Sequence, residues 1–258
     1  MAFTAESTHA SGPLHERTSI RRPEQVYYLY VPRDYRPADD HRLLVTIHGQ
    51  SRGANRYAEG FAEFADAHRY VVLAPLFPST IRYQELGIGG ERADLRLLEL
   101  IEEVCHELEL RADHFDLFGY SGGAQFAHRF LYVQPNRLRS VIVGAPGTVT
   151  LPTRSERWPV GVAGLGKLAG SRFKIEAVRR PRTLLMVGAD DIALEGLNQS
   201  PWAMRAGATR LGRARSLHAA WLVAGIEHEY VELAATSHGL DRLVVDEACR
   251  FLLDADAR

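Results

Sequence analysis

The sequence predicts an α/β fold, a mostly parallel central sheet with helices on both faces and a small lid insertion. Three observations point to it. Short apolar runs such as Arg42–Ile47, Tyr70–Pro75 and Thr183–Val187 recur between stretches of helical spacing. Those runs are continuous rather than alternating, as in strands covered on both faces. At mid-chain, Gly119-Tyr120-Ser121-Gly122-Gly123 stands between a β-prone run and a helical one, which is the setting of a sharp strand-to-helix turn. With 258 residues and no linker-like stretch, the chain is read as a single domain over 1–258, its lid or cap insertion at about 146–180.

The elements follow in order. Residues 1–22 are polar and without periodicity, and are expected to form a loose arm or an irregular edge. Glu24–Pro32, rich in aromatic and β-branched residues, reads as an early antiparallel strand. Arg42–Ile47 stops at His48-Gly49, and Tyr57–Ala65 has helical spacing. Tyr70–Pro75 is the next strand. Glu91–Glu109 is the clearest helix, with Leu97, Ile101, Val104, Cys105 and Leu108 on its apolar face and Glu99, Glu102, Glu103 and Glu107 on a solvated one. Phe115–Phe118 leads into the turn and Ala124–Leu131 out of it. Leu138–Ala145 is a strand, after which 146–180 breaks the rhythm with Gly, Pro and Trp158. Thr183–Val187 ends at Gly188-Ala189-Asp190-Asp191. Leu211–Ala224 is helical, Tyr230–Leu233 a strand, and Leu240–Leu253 the closing helix.

Composition removes several function classes. A net charge of −1 offers no basic surface for nucleic acid and no electrostatic membrane anchor. No apolar run is long enough to span a bilayer, and the first residues lack the basic start and apolar core of a signal peptide. Cys105 and Cys249 lie inside helical patterns and read as reduced thiols, buried or half-buried. A cytoplasmic location is therefore expected. No metal or cofactor is expected either, and the acidic helix is read as a wet face rather than a metal site.

Three strand ends carry reactive side chains: Ser121, then Asp190 or Asp191, then His238. A serine hydroxyl is a poor nucleophile until a base takes its proton, and a carboxylate holds that base in the right tautomer. The tight turn and the helix start below it present the hydroxyl and favour negative charge. Of eleven histidines, His238 is the one on a short loop after the final strand. Asp191 is preferred over Asp190 because it lies further out on its loop. The order nucleophile, acid, histidine is that of the α/β-hydrolases. An oxyanion hole is expected from the backbone N–H of Gly122 and of Gln50, with Ser51 as the second choice and His48 bracing the loop.

On these residues the chain resembles poly(3-hydroxybutyrate)-depolymerase-like esterases of the α/β-hydrolase superfamily. The resemblance rests on Leu44–Gly49, Val71–Phe77, Leu117–Phe126, Gly188–Ala193 and Arg213–Arg215, and runs over about residues 24 to 253. It implies a triad of Ser121, Asp191 and His238. It also implies a serine esterase acting on a small soluble ester rather than on polymer. The same triad serves lactones, thioesters, amides, carbon–carbon bonds or hydroxyalkanoate oligomers, and the scaffold can be a ligand receptor. Trp158, Trp202, Phe77 and Leu151 are expected to line an apolar acyl pocket. Arg154, Arg157 and Arg172 offer an anion-binding alternative. A homodimer is allowed for but nothing in the residues requires it.

Overall fold

The computed structural model describes residues 12–37, 39–87, 90–170 and 173–254. In chain order the elements are β1 (His15–Thr18), β2 (Val26–Tyr30), β3 (Arg42–Ile47), α1 (Ala54–Glu59), α2 (Ala62–His68), β4 (Tyr70–Leu76), α3 (Ala93–Leu108), β5 (Phe115–Tyr120) and α4 (Gly122–Val133). There follow β6 (Leu138–Gly144), α5 (Leu165–Ala169), α6 (Ile175–Val178), β7 (Arg182–Gly188), α7 (Pro201–Met204), α8 (Arg210–Val223), β8 (Glu229–Leu233) and α9 (Arg242–Leu253). The strands form one sheet in the order β1-β2-β4-β3-β5-β6-β7-β8. The pairs β1–β2 and β2–β4 are antiparallel and all others parallel.

The apolar runs explain the centre of the sheet. Leu43, Leu44, Val45 and Ile47 of β3 and Leu117 and Phe118 of β5 are shut away from solvent. So are Val141, Ile142 and Val143 of β6 and Leu184 to Val187 of β7. Burying each such side chain stabilises the fold by roughly 1.5–3 kcal/mol against an exposed position. From β3 the chain moves outward to β4, then returns past β3 to β5. The connections after β3 and β5 thus leave in opposite directions and open a crevice at the carboxyl edge. The ends of β3, β5, β7 and β8 meet along that edge because these strands run parallel.

Two expectations about local structure need correction. Of the loose arm or irregular edge expected at 1–22, the described part is the edge: His15–Thr18 pairs with Val26–Leu29 as β1, and residues 1–11 lie outside the described residues. Its partner is the helix face expected to be wet. Glu103 is buried and accepts from the Ser19 hydroxyl at 2.7 Å and from the Ile20 and Arg21 amides. Arg22 clasps Glu99, while Arg21 reaches Glu102 and Arg17 reaches Glu107. The acidic face of α3 is thus a docking strip for the N-terminal segment. The single helical stretch expected over 57–65 is two helices, parted at Gly60-Phe61, where Phe61 turns fully into the core.

The segment between β6 and β7 holds α5 and α6. Its first residues are tied to α4. The Thr150 amide donates to His128 Nε2 at 3.0 Å, and Tyr132 donates to the Thr150 carbonyl at 3.0 Å. No helix of the described residues is long and apolar enough to cross a membrane.

Candidate active site

Ser121 ends β5 and caps α4 with φ 56° and ψ −112°, a left-handed backbone for a residue with a side chain. The neighbours make this possible. A Cβ on Gly119 would sit 2.2 Å from the Gly123 carbonyl oxygen, and one on Gly123 would sit 1.9 Å from that of Ile47. Only glycine lets β3, β5 and α4 approach this closely. The Ser121 amide is anchored on the Gly144 carbonyl of β6 at 2.8 Å.

His238 lies on the loop after β8. Its Nε2 is 3.0 Å from Ser121 Oγ, and its Nδ1 is 2.7 Å from Asp191 Oδ2. Asp191 is fully buried at the end of β7, while Asp190 is exposed and its amide donates to the Thr236 carbonyl. A buried carboxylate accepts, so Nδ1 carries the proton and Nε2 presents its lone pair to the serine. The imidazole stacks on the Tyr120 ring, centroids 5.4 Å apart. The other Asp191 oxygen is 3.4 Å from Arg210 Nη1.

The loop after β3 approaches from the other side. A Cβ on Gly122 would lie 3.1 Å from the Gln50 amide nitrogen, so the two backbone N–H groups are neighbours. Neither donates to an acceptor among the described residues. The loop is held by buried aromatic and imidazole groups. His48 Nδ1 donates to the Gly49 carbonyl at 2.8 Å, and the Phe77 amide donates to His48 Nε2 at 3.2 Å. Tyr83 donates to the His48 carbonyl, and the Gly49 amide to the Tyr57 hydroxyl, both at 3.0 Å. Burial lowers His48 to about 4, so this brace is a neutral ring at neutral pH.

Two clefts meet at Ser121. The first, of about 690 Å³, is lined by His238, Tyr57, Leu240 and Val245, with several carboxylates at its rim. The second, of about 360 Å³, is polar and is lined by Gln125, Thr148, Asn198, Arg82 and Glu85. Ser121, Gln50, Gly196 and Arg210 border both.

None of the four residues expected in an acyl pocket lines either cleft. Phe77 is fully buried, stacked on Tyr83 with ring centroids 5.1 Å apart, because it packs under the loop after β3. Leu151 and Trp158 face the protein interior: their segment folds back on itself through Leu151 N–H to the Val160 carbonyl. Trp202 sits half-buried on α7 away from both clefts. Arg154 and Arg157 are exposed and line neither cleft, and Arg172 lies outside the described residues. Sequence reasoning missed Arg210, and with it Arg129 and Arg213 behind the second cleft. A signal existed for Arg129, a cation on a helix that is buried almost all round.

No protein-family model matches the chain, and no curated protein sequence matches it. Solved structures do. The poly(3-hydroxybutyrate) depolymerase of Bordetella parapertussis superposes with a TM-score of 0.77 at 23% identity, covering 95% of this chain and 91% of its own. Poly(aspartic acid) hydrolase-1 from Sphingomonas sp. KT-1 gives 0.76 at 19% identity, covering 93% and 97%. The chain has the α/β-hydrolase fold. An S-formylglutathione hydrolase from Agrobacterium tumefaciens shares it at 0.59 and 16% identity, over 93% and 92%. In the α/β-hydrolase frame Ser121 stands at the turn after the fifth strand, Asp191 after the seventh and His238 after the eighth. The resemblance read from the sequence therefore holds at the level of the fold.

Proposed function

We propose that this chain is a serine hydrolase that cleaves carboxylic esters of small substrates through an acyl-enzyme on Ser121. The observation that carries the reading is the unbroken chain Ser121 Oγ, His238, Asp191, with links of 3.0 and 2.7 Å, next to two free backbone donors. His238 Nε2 takes the hydroxyl proton as Oγ attacks the ester carbonyl. The tetrahedral oxyanion is received by the Gln50 and Gly122 amides, a contribution of about 3 kcal/mol per donor in such sites. His238 then protonates the leaving alkoxide, the alcohol departs, and a water deprotonated by the same nitrogen releases the acid. Buried Asp191 stabilises the imidazolium in both halves.

The neighbours' names span poly(3-hydroxybutyrate), poly(aspartic acid) and S-formylglutathione, so the fold leaves the choice of bond to the clefts. The test is labelling by a fluorophosphonate probe together with hydrolysis of short 4-nitrophenyl esters. We expect labelling and turnover in the wild type and neither in Ser121→Ala. A folded wild type that takes no label and turns over no ester would remove the reading.

A further inference from the structure

The second cleft is backed by buried cations, two of which, Arg129 and Arg213, meet no carboxylate among the described residues. Arg129, Arg210 and Arg213 are each more than nine-tenths buried. Among the described residues Arg129 donates only to neutral oxygens: Thr150 Oγ1 at 2.8 Å, the Gln84 carbonyl at 2.6 Å, Thr148 Oγ1 at 3.0 Å and the Gln125 carbonyl at 3.4 Å. Arg213 donates only to neutral acceptors among the described residues, the carbonyls of Gly147, Asn198 and Gly207 and the Met204 sulfur. Gln84, Thr148, Gly147 and Asn198 all line the second cleft, so both guanidinium groups lie directly behind its wall. Arg210 borders the cleft itself, meets Asp191 only at 3.4 Å, and keeps a buried Nε without a partner. With Arg82 at the mouth, four guanidinium groups face two carboxylates, Glu85 and Asp191. Glu85 pairs with Arg82, and Asp191 is shared by His238 and Arg210, so the excess falls on Arg129 and Arg213. Burial lowers Arg129 to about 10, and burial followed by Arg210 lowers Arg213. A buried, uncompensated charge costs stability and imposes a positive potential on the space in front of it.

One side chain carries that potential to the surface. Thr148 Oγ1 accepts from Arg129, which can only donate, so its own proton goes to Gln125 Oε1, 2.5 Å away. The amide oxygen of Gln125 is thereby fixed toward Thr148. Its NH2 is left beside Gly147, where a Cβ would lie 2.8 Å from Nε2, and donates to no acceptor among the described residues. The direction of the reaction assigns the cleft. His238, which must protonate the leaving group, lines the first cleft and not the second. The leaving alcohol therefore departs into the first cleft and the acyl group occupies the second.

We propose that the second cleft is an acyl pocket for chains ending in a free carboxylate, so that the preferred substrates are half-esters of dicarboxylic acids. This rests on the hydrolase reading above. The carboxylate accepts from Gln125 Nε2 and the guanidinium of Arg210 or Arg82, and supplies the counter-charge that Arg129 and Arg213 lack. The first cleft carries Glu59, Glu63, Asp241 and Asp246 beside Arg56, Arg210 and Arg242, with Asp246 paired to Arg242, so it offers the same group no cationic excess. The products are the dicarboxylic acid and the alcohol, with one water consumed.

The experiment compares 4-methylumbelliferyl hemiadipate with 4-methylumbelliferyl hexanoate, acyl chains of equal carbon count that differ in the terminal charge. We expect kcat/KM to favour the hemiadipate by about tenfold or more in the wild type, as a charge-assisted contact would give. The ratio should fall at least about fivefold in Gln125→Leu and in Arg82→Gln, and should narrow as salt is raised. A bracing role for these side chains would lower both rates and leave their ratio in place. Equal or reversed preference in the wild type, or an unchanged ratio in both variants, would overturn the acyl-pocket assignment. Fluorophosphonate labelling of the same samples separates the two claims. If Ser121 is labelled but the hemiadipate is not preferred, the pocket assignment fails and the hydrolase stands. If there is neither labelling nor turnover, both fail.

Discussion

At the scale of single residues, the site turns on which groups are buried and which are free. Asp191 is sealed while Asp190 faces solvent, so the two carboxylates should respond very differently to substitution. Asp191→Asn should lower kcat on a 4-nitrophenyl ester by about 10³–10⁴, because the amide supports the wrong imidazole tautomer. Asp190→Asn should change it by less than about threefold, as exposed substitutions away from such features do. Comparable losses in both variants would sink the assignment of Asp191. At the turn itself, Gly123→Ala places a methyl 1.9 Å from the Ile47 carbonyl oxygen. That contact is backbone against backbone and has no easy relief. The variant should lose about 3 kcal/mol or more in a urea titration; a variant as stable as wild type would mean that β3 and α4 separate more readily than their packing implies.

At the scale of elements, the N-terminal segment is held less by its strand than by the carboxylates of α3. β1 is four residues long and half-exposed, too little to hold an edge alone. Glu103 supplies what the strand lacks, taking one hydroxyl and two amide donors. Glu103→Ala leaves those donors unpaired and should destabilise the protein by about 2 kcal/mol. Protease nicking near residues 15–22 should become faster, as seen by mass spectrometry of timed digests. Glu102→Ala, whose partner Arg21 is exposed on both sides of the pair, should cost less than about 0.5 kcal/mol. If the two variants behave alike, the docking strip is not what orders the segment.

At the scale of the whole molecule, the buried histidines tie stability to pH. His48 has its titration lowered to about 4 by burial, and His128 is moved well below 6.5 by burial and by neighbouring Arg129. In the unfolded chain both titrate near 6.5. Between about pH 6.5 and 4 the unfolded state therefore binds protons that the folded state refuses. The contribution is complete above pH 6.5 and is lost as pH falls through that window, about 3 kcal/mol for His48 alone. Urea titrations across this range should show the decline. His48→Gln retains a donor and an acceptor but cannot titrate, so it should flatten the slope even if it is less stable at neutral pH. An unchanged slope would place the acid sensitivity elsewhere.

The sheet and the strand ends were legible because their signals are local. Leu43, Leu44, Val45 and Ile47, with Thr46 alone between them, and Leu184 to Val187 are apolar and buried, which suits a strand covered on both faces. The glycines around Ser121 record a steric need within five residues. The order serine, acid, histidine along successive strand ends was readable for the same reason. The acyl pocket was not. Aromatic residues at 77, 158 and 202 suggested an apolar pocket by composition, whereas the clefts are lined by residues from loops far apart in the chain. The wet face assigned to α3 holds at Glu102 and Glu107 but not at Glu103, since helical periodicity separates apolar from polar but does not show where another segment covers a polar face. Ser121 and His238 are 117 positions apart and meet only because parallel pairing brings β5 and β8 to one edge. The convergence of Arg129 and Arg213 behind the second cleft, with Arg210 at its border, has the same origin. Backbone conformation is written in neighbouring residues. The company a charged side chain keeps is set by strand order and register, and those exist only once the chain has folded.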